Sequence, residues 1–171
     1  MTTQSEFEEF ATAATPSLLR SAYLLTGDQH LAEDLVQTAL ARTHRYWRRI
    51  NDKSHAATYT RKTMYHQQVS YWRRRRFKEQ LSDLPPERAS SDNTADIDLK
   101  LSLRKALAQL TARQRAVVVL RYFEDRSVSE TAAILRCSEG SIKSHTFRAL
   151  NKLRDALPSL TDLLNGVPSD R

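Results

Sequence analysis

Only three glycines occur among the 171 residues, and this constrains the fold more than any other feature of the chain. Glycine usually makes up ~7% of a protein. Strand-rich folds draw on it for their tight turns, and β-branched residues are little clustered here. Apolar residues instead return every three or four positions over most of the chain, the period of a helix packed on one face. The expected fold class is all-α. No apolar run approaches the roughly 18 residues that a membrane-spanning helix needs. The opening MTTQSEFEEF is acidic and lacks the apolar centre of a signal peptide. A cytoplasmic protein with no membrane partner is therefore expected. The lone cysteine, Cys137, excludes an internal disulfide framework and any zinc site built on several cysteines.

Charge is blocked along the chain. Residues 1–34 hold six acids and one base, residues 35–78 twelve bases and one acid, residues 79–98 six acids and one base, and residues 99–171 thirteen bases and seven acids. The net charge of +7 implies a polyanionic partner. Two basic blocks separated by an acidic one imply two polyanion-contacting modules. The acidic stretch SDLPPERASSDNTADID is poor in apolar residues, and Pro85 and Pro86 cannot lie inside a helix. The expected organisation is a helical domain over 1–78, a flexible acidic linker over 79–97 and a second helical domain over 98–171.

In the first block, Phe7, Phe10, Ala11, Ala14, Leu18, Ala22 and Leu25 predict a helix over 5–25, opened by a capping box at Thr3 with Glu6 or Ser5 with Glu8. Pro16 predicts a kink or break near Thr15. Gly27 stands where a helix end takes a left-handed residue, and Asp28 can cap the next helix, which runs to about Arg49. Its inward face is read as including Leu31, Leu35, Ala39, Tyr46 and Ile50. A second stripe, Asp34, Gln37, Ala41 and His44, is polar enough to be a solvated face or a protein-docking surface. Residues 48–55 read as a loop with Ser54 as the following cap. The third helix, over 55–78, mixes Tyr59, Tyr65, Tyr71, Trp72 and Phe77 with Arg61, Lys62 and Arg73 to Arg76. Cations attract phosphates and aromatic faces stack on unpaired bases. Tyr59 and Trp72 are expected in the core.

In the second block, Leu99, Leu103, Leu107 and Leu110 predict a helix over 98–109. Thr111 with Gln114 forms a capping box before the apolar run AVVVLRYF, read as helix. Ser127 with Glu130 forms another, opening a short helix with Val128, Ala132, Ala133 and Leu135 inward. Arg136, Cys137 and Ser138 make a tight turn with Cys137 buried, and Ser138 caps a helix over 139–157 that buries Ile142, Thr146, Ala149, Leu150, Leu153 and Leu157. Pro158 helps to end it. Short helix, turn and longer helix make a helix-turn-helix. Its second helix carries Ser141, Lys143, Ser144, His145, Arg148 and Lys152 on and around one face, a DNA-binding set for a major groove.

Chemistry is sparse. The five histidines show no ligand spacing, and His55 and His66 stand about 16 Å apart along one helix. There is no Gly-rich phosphate loop and no nucleophile elbow. Asp83, Asp92, Asp96 and Asp98 of the acidic stretch read as solvation. Neither catalytic residues nor a metal or cofactor are expected.

These segments together resemble the bacterial RNA polymerase sigma factors of the extracytoplasmic-function (ECF) group, over about residues 6–157. AEDLVQTALARTHRYW is similar to the polymerase-binding helix of that group. TARQRAVVVLRYFEDRSVSETAAILRCSEGSIKSHTFRALNKLR is similar to its C-terminal promoter-reading domain, and LLTGDQHLAEDLVQTAL with YWRRRR points to the SigE-like actinobacterial subgroup. The resemblance implies a region 2 three-helix bundle over 1–78 and a region 4 four-helix domain over 98–171. Asp34 and Gln37 would bind the β′ clamp helices of core RNA polymerase. Loop 48–54 would capture a base flipped from the minus-10 promoter element. Arg61, Lys62, His66, Arg73 and Arg74 would contact that element. Lys143, Ser144 and Arg148 would read the minus-35 element, and the face near Arg113–Phe123 with the C-terminal end would meet the β flap. His66 stands where asparagine is frequent in the group, and His145 where arginine or glutamine is, so base preference at both elements is left open. The implied partners are core polymerase, promoter DNA and an anti-sigma factor, with a monomer when free. Transcription initiation is the implied function. A stand-alone helix-turn-helix regulator is the alternative, and it would need a dimer to reach two half-sites.

Overall fold

The computed structural model describes the backbone of residues 3–81 and 95–157 and the side chains of residues 3–75 and 100–157. All its regular elements are helical: α1 (Thr3–Thr26), α2 (Gln29–Tyr46), α3 (Ala56–Leu81), α4 (Ala95–Ala108), α5 (Ala112–Val118), α6 (Val128–Leu135) and α7 (Glu139–Ala156), with 3-10 turns at Trp47–Arg49 and Lys53–His55 and a π turn at Val119–Phe123. The chain divides into two compact units, Met1–Tyr71 and Trp72–Arg171. The expected helices are present with shifted ends. The third continues to Leu81 and the fourth begins at Ala95. The expected linker residues 82–94, with Pro85 and Pro86, lie outside the described residues, as do Pro158 and the C-terminal end beyond it.

In the first unit, α1 and α2 form a hairpin whose turn is chemically specified. Gly27 takes φ 70°, a left-handed value that only glycine adopts without strain. Its N–H bonds the Tyr23 carbonyl at 2.7 Å. The Asp28 carboxylate accepts from the Leu31 N–H at 2.9 Å and caps α2 as expected. Ala32, Leu35, Val36, Ala39 and Thr43 face inward from α2, and Leu18, Ser21, Ala22 and Leu25 from α1. α3 joins them through Ala56, Thr60, Met64, Tyr65 and Gln68. The buried Thr43 and Thr60 hydroxyls meet at 2.9 Å, and Gln68 Nε2 donates to the Leu25 carbonyl at 3.3 Å.

Several sequence expectations are corrected here. α1 runs through Pro16 without a break. Pro16 lies on the solvent side, where the carbonyl it leaves unbonded can take water, and its fixed φ is already helical. Ser5 lies inside α1 rather than capping it, and Ser54 is not the cap before α3. Asp52 does the local capping instead, accepting from the Ser54 N–H at 2.9 Å. Tyr46 points outward, because α2 gives way to a 3-10 turn there and the next residue, Trp47, takes the inward position. Among the described residues of α3 the fully buried aromatic is Tyr65, whereas Tyr59 and Trp72 are half-buried.

In the second unit, α5, its π turn, α6 and α7 pack around Val117 to Leu120, Ala132, Ile134, Leu135, Ile142, Ala149 and Leu153, with Ala106, Leu107 and Leu110 from the end of α4. Both expected capping boxes are present in full, Thr111 with Gln114 and Ser127 with Glu130. The buried Arg115 guanidinium donates to the Leu107, Ala108 and Leu110 carbonyls at 2.8, 3.4 and 3.3 Å and so caps the C-terminal end of α4. Burial lowers its pKa to about 10, which leaves it charged at neutral pH. In α6, Thr131 and Ile134 are inward and Ala133 is exposed, correcting the face assigned to Ala133. Arg136 takes the left-handed conformation at φ 52°, and the half-buried Cys137 donates its N–H to the Ala132 carbonyl. Cys137 is thus not the fully buried apolar residue expected. Ser138 then accepts from the Ser141 N–H at 3.1 Å and opens α7.

Candidate nucleic-acid and protein interfaces

Three surfaces carry the residues singled out from sequence. The first is the outer face of α2. Asp34, Gln37, Ala41 and His44 are all exposed, as their spacing predicts. The His44 ring packs on Phe7 at 4.7 Å between centroids, and its Nε2 meets Gln4 Oε1 at 3.1 Å. The stripe is therefore divided. His44 is engaged by α1, while the Asp34 carboxylate and Gln37 amide reach solvent.

The second surface follows α2 into α3. Trp47 is buried against Phe7 and Phe10, each 5.2 Å away between centroids. The Lys53 ammonium lies over the Trp47 ring at 4.5 Å and donates to the Trp47 and Ile50 carbonyls. A cation thus closes the carbonyl end of α2 and fixes the loop that follows. The Ser54 hydrogen bonds hold the Asp52 carboxyl below its usual range, with a smaller contribution from His55 at 3.4 Å. Asn51 is left exposed at the loop tip.

On α3, Tyr59, Lys62 and His66 recur at i, i+3 and i+7 and share one face, and Arg73 keeps the same helical spacing. Arg61 lies about 100° around the helix from Lys62, and Arg74 about as far from Arg73. Of the five cationic or imidazole side chains named from sequence, the helix therefore aligns Lys62, His66 and Arg73 and turns Arg61 and Arg74 to other sides.

The third surface is α7. Lys143, Ser144 and Arg148 are exposed, while Ser141 and His145 are half-buried. Lys152 is exposed but tethered, its Nζ donating to Gln114 Oε1 at 3.3 Å beside the α5 capping box. His145 turns Nδ1 inward with no hydrogen-bond partner among the described residues. Burial first, then the charges of Arg113 and Arg148, push its pKa below the ordinary histidine value. Both effects favour the neutral imidazole.

Two exposed aromatics beside these surfaces were missed from sequence. Phe147 is 67% exposed on α7, between Ser144 and Arg148. Its position opposite Ile142, Ala149 and Leu153 on the helical wheel is the signal that finds it. Tyr46 is 44% exposed, and its ring lies 6.0 Å from Tyr59. Among the described residues no cluster of three His, Cys, Asp or Glu suits a metal ion, and no helix is long and apolar enough to cross a membrane.

Comparison with known proteins agrees with this arrangement. Residues 10–78 match the family model for Sigma-70 region 2, and residues 100–153 that for Sigma-70, region 4. The chain is 42% identical over 152 residues to the RNA polymerase sigma-E factor of Streptomyces coelicolor, covering 89% of this chain and 86% of that protein. It is 32% identical over 148 residues to the ECF RNA polymerase sigma factor SigL of Mycobacterium tuberculosis, covering 84% of each. Among solved structures it is similar to the sigma factor RpoE of Bartonella quintana in its complex with the anti-sigma factor NepR. That match has a TM-score of 0.73 and 28% identity, over 90% of this chain and 97% of that one.

Proposed function

The chain belongs to the sigma-70 family, in its extracytoplasmic-function group, and as an RNA polymerase sigma factor it directs transcription initiation; we propose that its two halves divide that task between the two promoter elements. Sigma factors as a family are not catalysts, and on this reading the polymerase performs all the chemistry.

Region 2, over 1–78, holds the polymerase and the minus-10 element. Asp34 and Gln37 dock on the β′ clamp helices of core polymerase. Their exposure on a face that the α1–α2 core does not use supports this role. The Lys53-fastened loop over 48–54 takes a base flipped out of the minus-10 element, and Lys62, His66 and Arg73 track the adjoining backbone, with Arg61 and Arg74 reaching it from the sides. Extracting a base costs a few kcal/mol of stacking and pairing. A loop already shaped by Lys53 and Asp52 adds little ordering entropy to that cost.

Region 4, over 98–171, reads the minus-35 element. The observation that carries this reading is the exposed Lys143, Ser144 and Arg148 face of a Ser138-capped helix entered through a left-handed turn. Such a helix fits the major groove, where Arg recognises guanine edges and Ser is tolerant. Phe147 adds an apolar surface suited to a thymine methyl. The face near Arg113–Phe123 meets the β flap. The acidic N-terminal and linker segments oppose DNA binding by the free chain, so stable promoter binding awaits the polymerase. The similarity to RpoE held by NepR supports control of this chain by an anti-sigma factor. The free chain is taken as a cytoplasmic monomer without a cofactor.

Site-specific photocrosslinking in an open promoter complex tests the division. A crosslinker at Lys62 is expected to mark the nontemplate strand near minus 10, and one at Ser144 the duplex near minus 35. Crosslinks from both positions to a single element would refute the division.

A further inference from the structure

His145 stands on α7 among the residues assigned to the minus-35 element, yet its surroundings are not those of a solvated side chain. The ring is half-buried, and Nδ1 is turned inward with no hydrogen-bond partner among the described residues. Two charges act on it, and both are positive: Arg113 at the start of α5 and Arg148 three residues on in α7. α4 and α6 also pack on α7, but among the described residues neither brings a carboxylate or a further cation to bear on the ring. An imidazolium in this place would carry a buried N–H without an acceptor and would face two guanidiniums. No acid offsets them. The free chain therefore holds His145 toward its neutral form.

Duplex DNA reverses this balance. It carries one phosphate charge per about 1.7 Å of helix axis. Arg148 is exposed and Arg113 half-buried, so both guanidiniums can turn toward phosphate oxygens. Their repulsion of the ring is then offset, and the phosphates themselves favour a proton on it. Histidine is the side chain that responds to such a change near neutral pH.

We propose that Arg113, His145 and Arg148 form a proton-uptake site coupled to minus-35 binding: His145 gains a proton as the duplex engages the two arginines, so promoter affinity rises as pH falls. This rests on the assignment of α7 to the minus-35 element. The proton comes from solvent and sits on the imidazole, which adds one positive charge to the bound face.

The test is binding of holoenzyme to a cognate minus-35 duplex from pH 6 to pH 8, read by fluorescence anisotropy for the wild type, His145→Gln and His145→Arg. Comparison with His145→Gln removes the response of every other titrating group. Uptake of one proton changes affinity by at most about tenfold per pH unit. With a change of about one pKa unit on binding, the ratio of wild-type to His145→Gln affinity is expected to be roughly three- to tenfold higher at pH 6 than at pH 8. His145→Arg, which is always charged, is expected to parallel His145→Gln across the range. The salt dependence gives a second readout that a merely structural histidine would not move. The wild-type slope is expected to steepen by about one between pH 8 and pH 6, as one more counterion is released, and the His145→Gln slope to stay constant. A wild-type to His145→Gln ratio that is constant with pH, or that falls toward pH 6, would overturn the proposal. So would a salt slope that changes equally in both. If the wild-type holoenzyme does not prefer the cognate duplex over a scrambled one at either pH, the minus-35 assignment fails and the proton site with it.

Discussion

Arg148 and Lys152 stand one turn apart on α7, and both belong to the DNA-binding set that the helical spacing suggests. The structure separates them. Arg148 is exposed and makes no hydrogen bond or ion pair among the described residues, whereas Lys152 is held by Gln114 at 3.3 Å. From Ser141 to Lys152 the helix rises about 16 Å, the length of about five base-pair steps. Arg148 lies within that span and Lys152 at its far end. A bidentate arginine contact to a base edge is worth about 1–3 kcal/mol. Arg148→Ala is therefore expected to weaken binding of the holoenzyme to a minus-35 duplex by roughly 5- to 150-fold. Lys152→Ala, which removes an exposed and already occupied charge, is expected to cost less than about threefold. The assay is fluorescence anisotropy with a cognate and a scrambled minus-35 duplex, repeated across a salt series. Arg148→Ala should lose most on the cognate sequence. A loss equal on both sequences, with the salt slope reduced by about one, would make Arg148 a phosphate contact only. Wild-type behaviour of Arg148→Ala, or a larger loss from Lys152→Ala, would refute the reasoning.

Three further outcomes are expected. Asp34→Ala combined with Gln37→Ala lowers affinity for core polymerase and leaves the minus-35 contact of the second unit intact, measured by core pull-down beside duplex binding; loss of both together would indicate misfolding. His145 has a folded pKa below its ordinary 6.5, so the unfolded chain takes up the proton first as pH falls, and its contribution to stability is complete above pH 6.5 and declines below it. Thermal melts at pH 8 and pH 5.5 should accordingly show a larger drop for the wild type than for His145→Gln; equal drops would contradict this. Ser127→Ala removes the acceptor that Glu130 N–H bonds at 3.0 Å and should destabilise the second unit by about 1 kcal/mol. Calorimetry of the full chain would detect it as a fall of several degrees in that unit's transition.

Local chemistry was the most legible part of the sequence. Gly27, Asp28, Thr111, Ser127 and Ser138 occupy their turn and cap positions because each bond closes within two to four residues, so neighbouring sequence determines it. Faces were less legible wherever the helical phase changes. The step from α2 to a 3-10 turn exchanges Tyr46 for Trp47 at the core. The run AVVVLRYF is apolar but for Arg121 and carries no period to reveal the π turn, in which the Glu124 N–H reaches the Val119 carbonyl at 2.9 Å and Phe123 emerges. Arg115 was unreadable for another reason. Its burial is stabilised by three carbonyls at the end of α4, and that convergence exists only once the helices pack. On α7 the spacing placed Lys143, Ser144 and Arg148 on the exposed side, but the half-burial of Ser141 and His145, the Lys152 tether to Gln114 and the exposed Phe147 needed the structure. The α3 set needed the structure to show that Lys62, His66 and Arg73 align while Arg61 and Arg74 do not.

The central claim is that this chain directs core polymerase to promoters through two separately read elements. Transcription in vitro with sigma-free core polymerase and a genomic promoter library tests it most directly. Start sites that appear only when the chain is added, and that share two elements at a fixed spacing, are the predicted result. A folded chain that binds core polymerase yet yields no chain-dependent start sites, or start sites sharing a single element, would contradict it.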